Sequence, residues 1–218
     1  MRNRTTPPPL PQPLHGADLP LRPGRRPLAR AATSGEAPDD LDDDVLAVRA
    51  SEGDDDAFAV LVRRHSSRLL ALAQHLLGNR ADAEDAVQDA LLSAWRRLPE
   101  FRHGASFGTW MYRIVANRCL NTMRHRSRPL PLDSVPEPAA ADAHSSPPRV
   151  AESDAAAAAL ARALLELQPE LRVCWVLREL HGLHYEEIAQ VVGRSEQTVR
   201  GRLFRARRAL MEAMRPWR

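Results

Sequence analysis

Apolar residues recur with a helical period over two stretches of the chain and lose that period elsewhere. From about residue 57, Phe58, Leu61, Leu69, Leu72 and Leu76 fall at spacings of three, four and eight, which places them on one face of a helix. The segment "GNRADAED" (78–85) then ends that helix and starts another. In this second helix Ala83, Ala86, Val87, Ala90, Leu91, Ala94, Trp95 and Leu98 form an apolar stripe, leaving Asp85, Gln88, Asp89 and Arg96 outward. Pro99 and "FRHGAS" interrupt the pattern, and a third helix is predicted over 107–126. Trp110, Met111, Ile114, Val115 and Cys119 can face a core, while Arg113, Asn117, Asn121, Arg124 and Arg128 recur every three or four residues on another side.

The period vanishes twice. Residues 1–44 open with half of the chain's 18 prolines and read as a disordered Pro/Arg-rich arm. Its close is acidic, Asp39 to Asp44, and a second run, Asp54 to Asp56, follows; carboxylates suit the start of a helix. Residues 129–154, "PLPLDSVPEPAAADAHSSPPRVAESD", have no apolar period and read as a flexible linker between domains. Helical patterning returns beyond it, with helices predicted over 155–167 and Pro169–His181. The fold class is therefore all-α: one helical domain over 45–128 and a second over 155–218.

The end of the chain carries the sharpest chemistry. In "HYEEIAQVVGRSEQTVRGRLFRARRAL", a short helix with Ile188, Ala189 and Val192 breaks at Gly193, and Ser195 can N-cap the next helix. That is the grammar of a helix-turn-helix. Val199, Leu203 and Ala206 would pack inward, so Arg200, Gly201, Phe204, Arg205 and Arg208 project elsewhere. Guanidinium forks match phosphates and the edge of guanine, a good bidentate base contact being worth about 1–3 kcal/mol of discrimination. Arg200 and Arg205 are the base-edge candidates; Arg202, Arg207 and Arg208 suit phosphates. Gly201 costs a helix about 1 kcal/mol relative to alanine, and closer approach to DNA is a return on that cost.

Composition narrows the classes. The net charge is only +3, and all 31 basic residues are arginine, which with scarce isoleucine reads as codon bias rather than function. Two cysteines, Cys119 and Cys174, are too few for a disulfide framework or a cysteine zinc site and suit a reducing cytoplasm. No stretch approaches the roughly 18 apolar residues of a membrane span, and the start lacks a signal-peptide core, so a cytoplasmic protein is expected. His181 and His184 lie three apart without a carboxylate or cysteine set to complete a metal site. Phosphate-cradling glycine loops and nucleophile elbows are missing as well, so no metal, cofactor or enzymatic activity is expected.

Both halves together resemble the extracytoplasmic-function (ECF) sigma factors of the sigma-70 family, two-domain initiation subunits of bacterial RNA polymerase. "AEDAVQDALLSAWRRLPEFR" is similar to their polymerase-binding helix, "FGTWMYRIVANRCLN" to their promoter-melting helix, and "LQPELRVCWVLRELHGLHYEEIAQVVGRSEQTVRGRLFRAR" to their −35 domain. The resemblance implies that Asp85, Gln88 and Asp89 face the clamp of the largest core polymerase subunits, beta and beta-prime. It implies that Asn117 and the loop Phe101, Arg102, His103 to Phe107 hold a base flipped from the non-template strand, with Arg113, Asn121 and Arg124 along the −10 strand. It places Ser195, Thr198, Arg200, Gly201, Arg202, Phe204 and Arg205 at the −35 duplex. An anti-sigma factor is a further implied partner. This chain departs from the family pattern at His103, where glycine is common, and at Gln197 and Gly201, where Gly and Ser are frequent. The competing expectation is an autonomous helix-turn-helix regulator that binds a symmetric operator without polymerase.

Overall fold

The computed structural model describes residues 40–101, 105–126 and 148–217, and every regular element among them is helical. The helices are α1 (Asp43–Ser51), α2 (Asp55–Leu77), α3 (Arg80–Arg97), α4 (Phe107–Arg126), α5 (Pro148–Glu166), α6 (Pro169–Glu179), α7 (Tyr185–Val192) and α8 (Glu196–Ala213). The arm up to residue 39, the linker segment 127–147 and the positions Arg102, His103 and Gly104 lie outside the described residues.

Short polar side chains set the helix starts. The Asp54 carboxylate accepts from the Ala57 amide at 3.0 Å to begin α2, and Asn79 does the same from Asp82 at 3.1 Å for α3. Ser106 Oγ accepts from Thr109 N at 3.2 Å at the head of α4. Gly78, at φ 71°, ends α2 in the left-handed conformation that suits glycine. The acidic run yields one helix that apolar periodicity did not separate, α1, whose Asp43 reaches Arg64 Nη1 at 2.8 Å and His65 Nε2 at 2.6 Å on α2. Burial alone would raise the Asp43 carboxyl, but the Arg64 and His65 bonds outweigh it and hold it below its ordinary value. α5 begins before residue 155 because Pro148 suits a first helical turn and no breaker separates it from the alanines at 155–159. α6 stops at Glu179, which leaves His181 in the turn that follows.

Leu46, Leu61, Leu69, Leu72, Leu76, Phe107, Met111 and Val115 are almost wholly buried among α1 to α4. Val173, Val176, Leu177, Ile188, Val199 and Leu203 fill the space among α6, α7 and α8, and Ala163 and Leu164 of α5, with Leu167 just after it, lie against Ala206 and Leu210 of α8. The two halves do not stand apart: α7 packs on α4, α6 on α2 and α4, and their buried residues form one continuous cluster.

Candidate nucleic-acid interface

α7 and α8 meet through Gly193, which takes φ 61° to turn the chain. Glu187 accepts from the His184 amide at 2.7 Å to start α7. Ser195 caps α8, its Oγ accepting from Thr198 N at 3.3 Å and lying 3.0 Å from Thr198 Oγ1. Both residues therefore serve the cap at the tip of the second helix. With Val199, Leu203, Ala206 and Leu210 buried, the opposite face turns Arg200, Gly201, Phe204, Arg205 and Arg208 to solvent. Phe204 is 68% exposed, an apolar ring left in water between cations. A Cβ added at Gly201 would meet nothing within 4 Å, so internal packing does not require glycine there.

The arginines of this face are held in different ways. Arg200 leans on Glu196 at 3.4 Å and on the Tyr185 ring, whose centroid is 5.7 Å away; Arg178 sits 5.1 Å from the same ring. Tyr185 also lies beside Arg207, which is gripped by Glu179 at 2.7 Å and held above its ordinary pKa chiefly by that Glu179 bond. Tyr185 thus lies among three arginines, a role that chain spacing does not reveal because Arg178, Tyr185 and Arg200 come from three helices. Arg205 donates to the Gly201 carbonyl at 3.3 Å and remains exposed. Arg202 is half-buried, beside Cys174 and Glu170.

A second polar stripe runs along α4. Arg113, Asn117, Asn121 and Arg124 are all exposed on one side of the helix. Arg113 lines a polar cleft with Glu186, Gln190, Arg194 and Glu196 of the helix-turn-helix, and Arg124 bonds Glu170 of α6 at 3.0 Å. The two asparagines at the middle of the stripe keep their amides in solvent. The aromatic residues nearby look inward instead. Phe101 and Phe107 are 9% and 1% exposed and meet edge to face at 6.1 Å, while Trp110 packs 5.1 Å from Phe101. Both phenylalanines therefore point to the core in this structure, and Arg102, His103 and Gly104 between them lie outside the described residues.

On α3, Asp85, Gln88 and Asp89 are exposed, and Asp89 pairs with Arg118 of α4. Beside them lies a feature that reading the α3 stripe as core-facing missed. Phe58, Val62, Leu70, Leu91 and Trp95 line an open apolar groove between α2 and α3, rimmed by Glu84 and Gln88. Leu92 on its edge is 50% exposed. Periodicity assigns such residues to an inner face, and only the angle between α2 and α3 leaves part of that face uncovered.

Among the described residues no group of three or more His, Cys, Asp or Glu could hold a metal ion, and no helix is long and apolar enough to cross a membrane. His181 and His184 diverge, the first into the junction between the halves and the second to solvent.

Comparisons with known proteins agree with this layout. Residues 61–129 match the family model "Sigma-70 region 2", and residues 157–210 match "Sigma-70, region 4". The chain is 35% identical over 185 residues to the RNA polymerase sigma-H factor of Pseudomonas aeruginosa, covering 80% of this chain and 94% of that one. It is 34% identical over 184 residues to the ECF RNA polymerase sigma-E factor of Escherichia coli K12, covering 81% and 96%. Among solved structures, CnrH in complex with the cytosolic domain of CnrY matches at TM-score 0.60 and 30% identity over 79% of this chain and 96% of that one. The sigma factor RpoE in complex with the anti-sigma factor NepR from Bartonella quintana matches at TM-score 0.56 and 27% identity, over 72% and 96%. With both conserved regions present in order and the relatives matched over nearly their whole length, the chain belongs to the extracytoplasmic-function sigma factors of the sigma-70 family.

Proposed function

We propose that this sigma factor divides promoter reading between its two polar faces, the exposed side of α8 for duplex DNA at the −35 element and the α4 stripe for the opened −10 strand. The observation that carries the reading is the pairing, in one chain, of a capped helix-turn-helix with a helix that displays two solvent-facing asparagine amides between arginines. A duplex is read by guanidinium forks in its major groove. An unstacked base offers edges that an amide can bond on both donor and acceptor sides. Arg200 and Arg205 read base edges, Arg208 suits phosphate, and Asn117 reads the extruded base with Arg102 and His103 of the adjoining loop. Arg113, Asn121 and Arg124 follow the strand.

Asp85, Gln88 and Asp89, with the apolar groove beside them, dock core RNA polymerase. An acidic rim on an apolar floor fits a partner helix with an apolar stripe and basic flanks. An anti-sigma factor would compete for these faces, as the CnrH and RpoE complexes suggest by analogy. The chain itself makes and breaks no bonds.

Permanganate footprinting of single-stranded thymines on promoter fragments, with this protein in the presence and absence of core polymerase, tests the reading. Thymines should become reactive only when both are present. Binding without core, followed by no opening once core is added, would instead support an autonomous regulator.

A further inference from the structure

The −35 and −10 elements lie about 25 base pairs apart by definition, roughly 85 Å along a duplex at 3.4 Å per pair. In this structure the helix-turn-helix does not stand off at such a distance. α7 packs directly on α4, and packed helices have axes only about 8–10 Å apart. The two readers cannot occupy their elements together in this arrangement, so the chain is in a closed form.

The junction that holds it closed is specific. Arg172 of α6 is 7% exposed and donates through Nη1 to the Leu76 carbonyl at the end of α2, at 2.5 Å. Its Nη2 donates to the carbonyls of Leu165 and, at 3.2 Å, Leu167. One guanidinium thus caps the last turns of helices from both halves, satisfying carbonyls that a helix end leaves open. Leu165 lies over the bare backbone of Gly78, where an added Cβ would come within 2.6 Å of its side chain. On the other side of α6, His181 Nδ1 lies 3.1 Å from the Tyr112 hydroxyl of α4, and its Nε2 is buried with no hydrogen-bond partner.

We propose that this junction is an internal latch: the corner between α6 and α7 closes over α2 and α4, pairs Arg124 and sets the helix-turn-helix beside Arg113 at the two ends of the −10 stripe, and opens when His181 takes a proton. The proposal rests on the promoter-reading role given to α4 above. Arg113 lines the cleft with the helix-turn-helix, so those helices lie beside it, and Arg124 is paired with Glu170, a contact that an incoming strand must displace.

The surroundings of His181 favour its neutral form. Arg68 and His75 approach from α2, Tyr112 from α4, and Glu187 of α7 faces the same Tyr112. Burial first, then the charges of His75 and Arg68, hold His181 down at about 4 against an ordinary 6.5. A lowered histidine favours the closed form above its ordinary value and loses that contribution as pH falls toward the lowered one. Glu170 acts in the same direction. Burial alone would raise it, but the bonds from Arg124 and the helix backbone, with the Arg124 and Arg202 charges, hold it below its ordinary value, so acid weakens this bridge too.

The test uses the full chain carrying Glu52→Cys and Met211→Cys, with a fluorescent donor and acceptor on these exposed positions; the native cysteines, both fully buried, stay unlabelled. At about pH 7.5 the free protein should give mainly the short distance. The ratio of closed to open should fall about tenfold by pH 5.5. His181→Gln keeps a partner for Tyr112 without a titrating ring and should abolish that response, whereas Arg172→Met should lengthen the distance at both pH values. A predominantly open chain at pH 7.5, or an unchanged response in His181→Gln, would overturn the latch. Adding core polymerase and promoter DNA separates this inference from the functional reading. A short distance persisting while thymines become permanganate-reactive rejects the latch and keeps the promoter role. A pH-sensitive distance without any core-dependent opening keeps the latch as a conformational switch and rejects the promoter role.

Discussion

Tyr185 illustrates how a single side chain links packing to recognition. Its ring lies against Arg178 and Arg200 and it sits beside Arg207, so it presets one base-edge candidate and flanks one candidate phosphate contact. Tyr185→Leu should lower −35 binding about tenfold in a gel-shift titration, comparable to losing a bidentate base contact. Tyr185→Phe should keep most of that affinity because the ring is retained. Arg200→Ala and Arg205→Ala should each weaken promoter use while leaving polymerase binding intact. Loss of both activities in parallel would contradict the division of labour between the halves. Asp85→Arg should reverse that pattern, impairing co-purification with core first, since charge reversal at a docking rim opposes a basic partner.

At the scale of the element, α8 is a helix whose sequence trades stability for a surface. Its cap is sound, with Ser195 satisfying the Thr198 amide, yet Gly201 sits exposed mid-helix with open space where a Cβ would go. Gly201→Ala should therefore stabilise the chain by about 1 kcal/mol in thermal unfolding while reducing −35 affinity. A gain in stability with unchanged affinity would mean that DNA does not approach this backbone. α3 shows the complementary situation. Trp95 and Leu91 obey a core-facing period, but they line a groove that α2 leaves open. Periodicity reports which face of a helix is apolar; it cannot report whether a neighbour covers that face.

Across the whole molecule, one continuous core joins the two halves, so a change deep in the first should be felt throughout. Leu72→Ala at a fully buried position should cost about 2–5 kcal/mol in denaturant unfolding. Burial pushes the Cys119 thiol up to about 12, so labelling by a thiol reagent at neutral pH should require unfolding. Asp43 pins α1 to α2, and its carboxyl is held below the ordinary 3.8. The stability it contributes is present above that value and is lost as pH falls below it, which a urea titration of wild type and Asp43→Asn at about pH 6 and pH 3 would reveal.

The amino-acid sequence alone determined most of the elements and their outward chemistry, though not α1 or the start of α5. The helix over 107–126, the turn at Gly193, the Ser195 cap and the polar stripe on α4 all follow from local spacing and from side chains that cap or break a helix within a few residues. These are short-range effects, and they survive whatever the rest of the chain does. Only the tertiary structure decided the long-range ones. It closed the helix-turn-helix onto α4, turned Phe101 and Phe107 into the core, set Arg202 beside Cys174 and Glu170, and brought Arg172 to the carbonyls of two other helix ends. It also opened the groove beside Asp85 and Gln88. Each of these depends on residues tens of positions apart meeting in one place, and burial and hydrogen-bond satisfaction act on that meeting, to which the period of a single helix is blind.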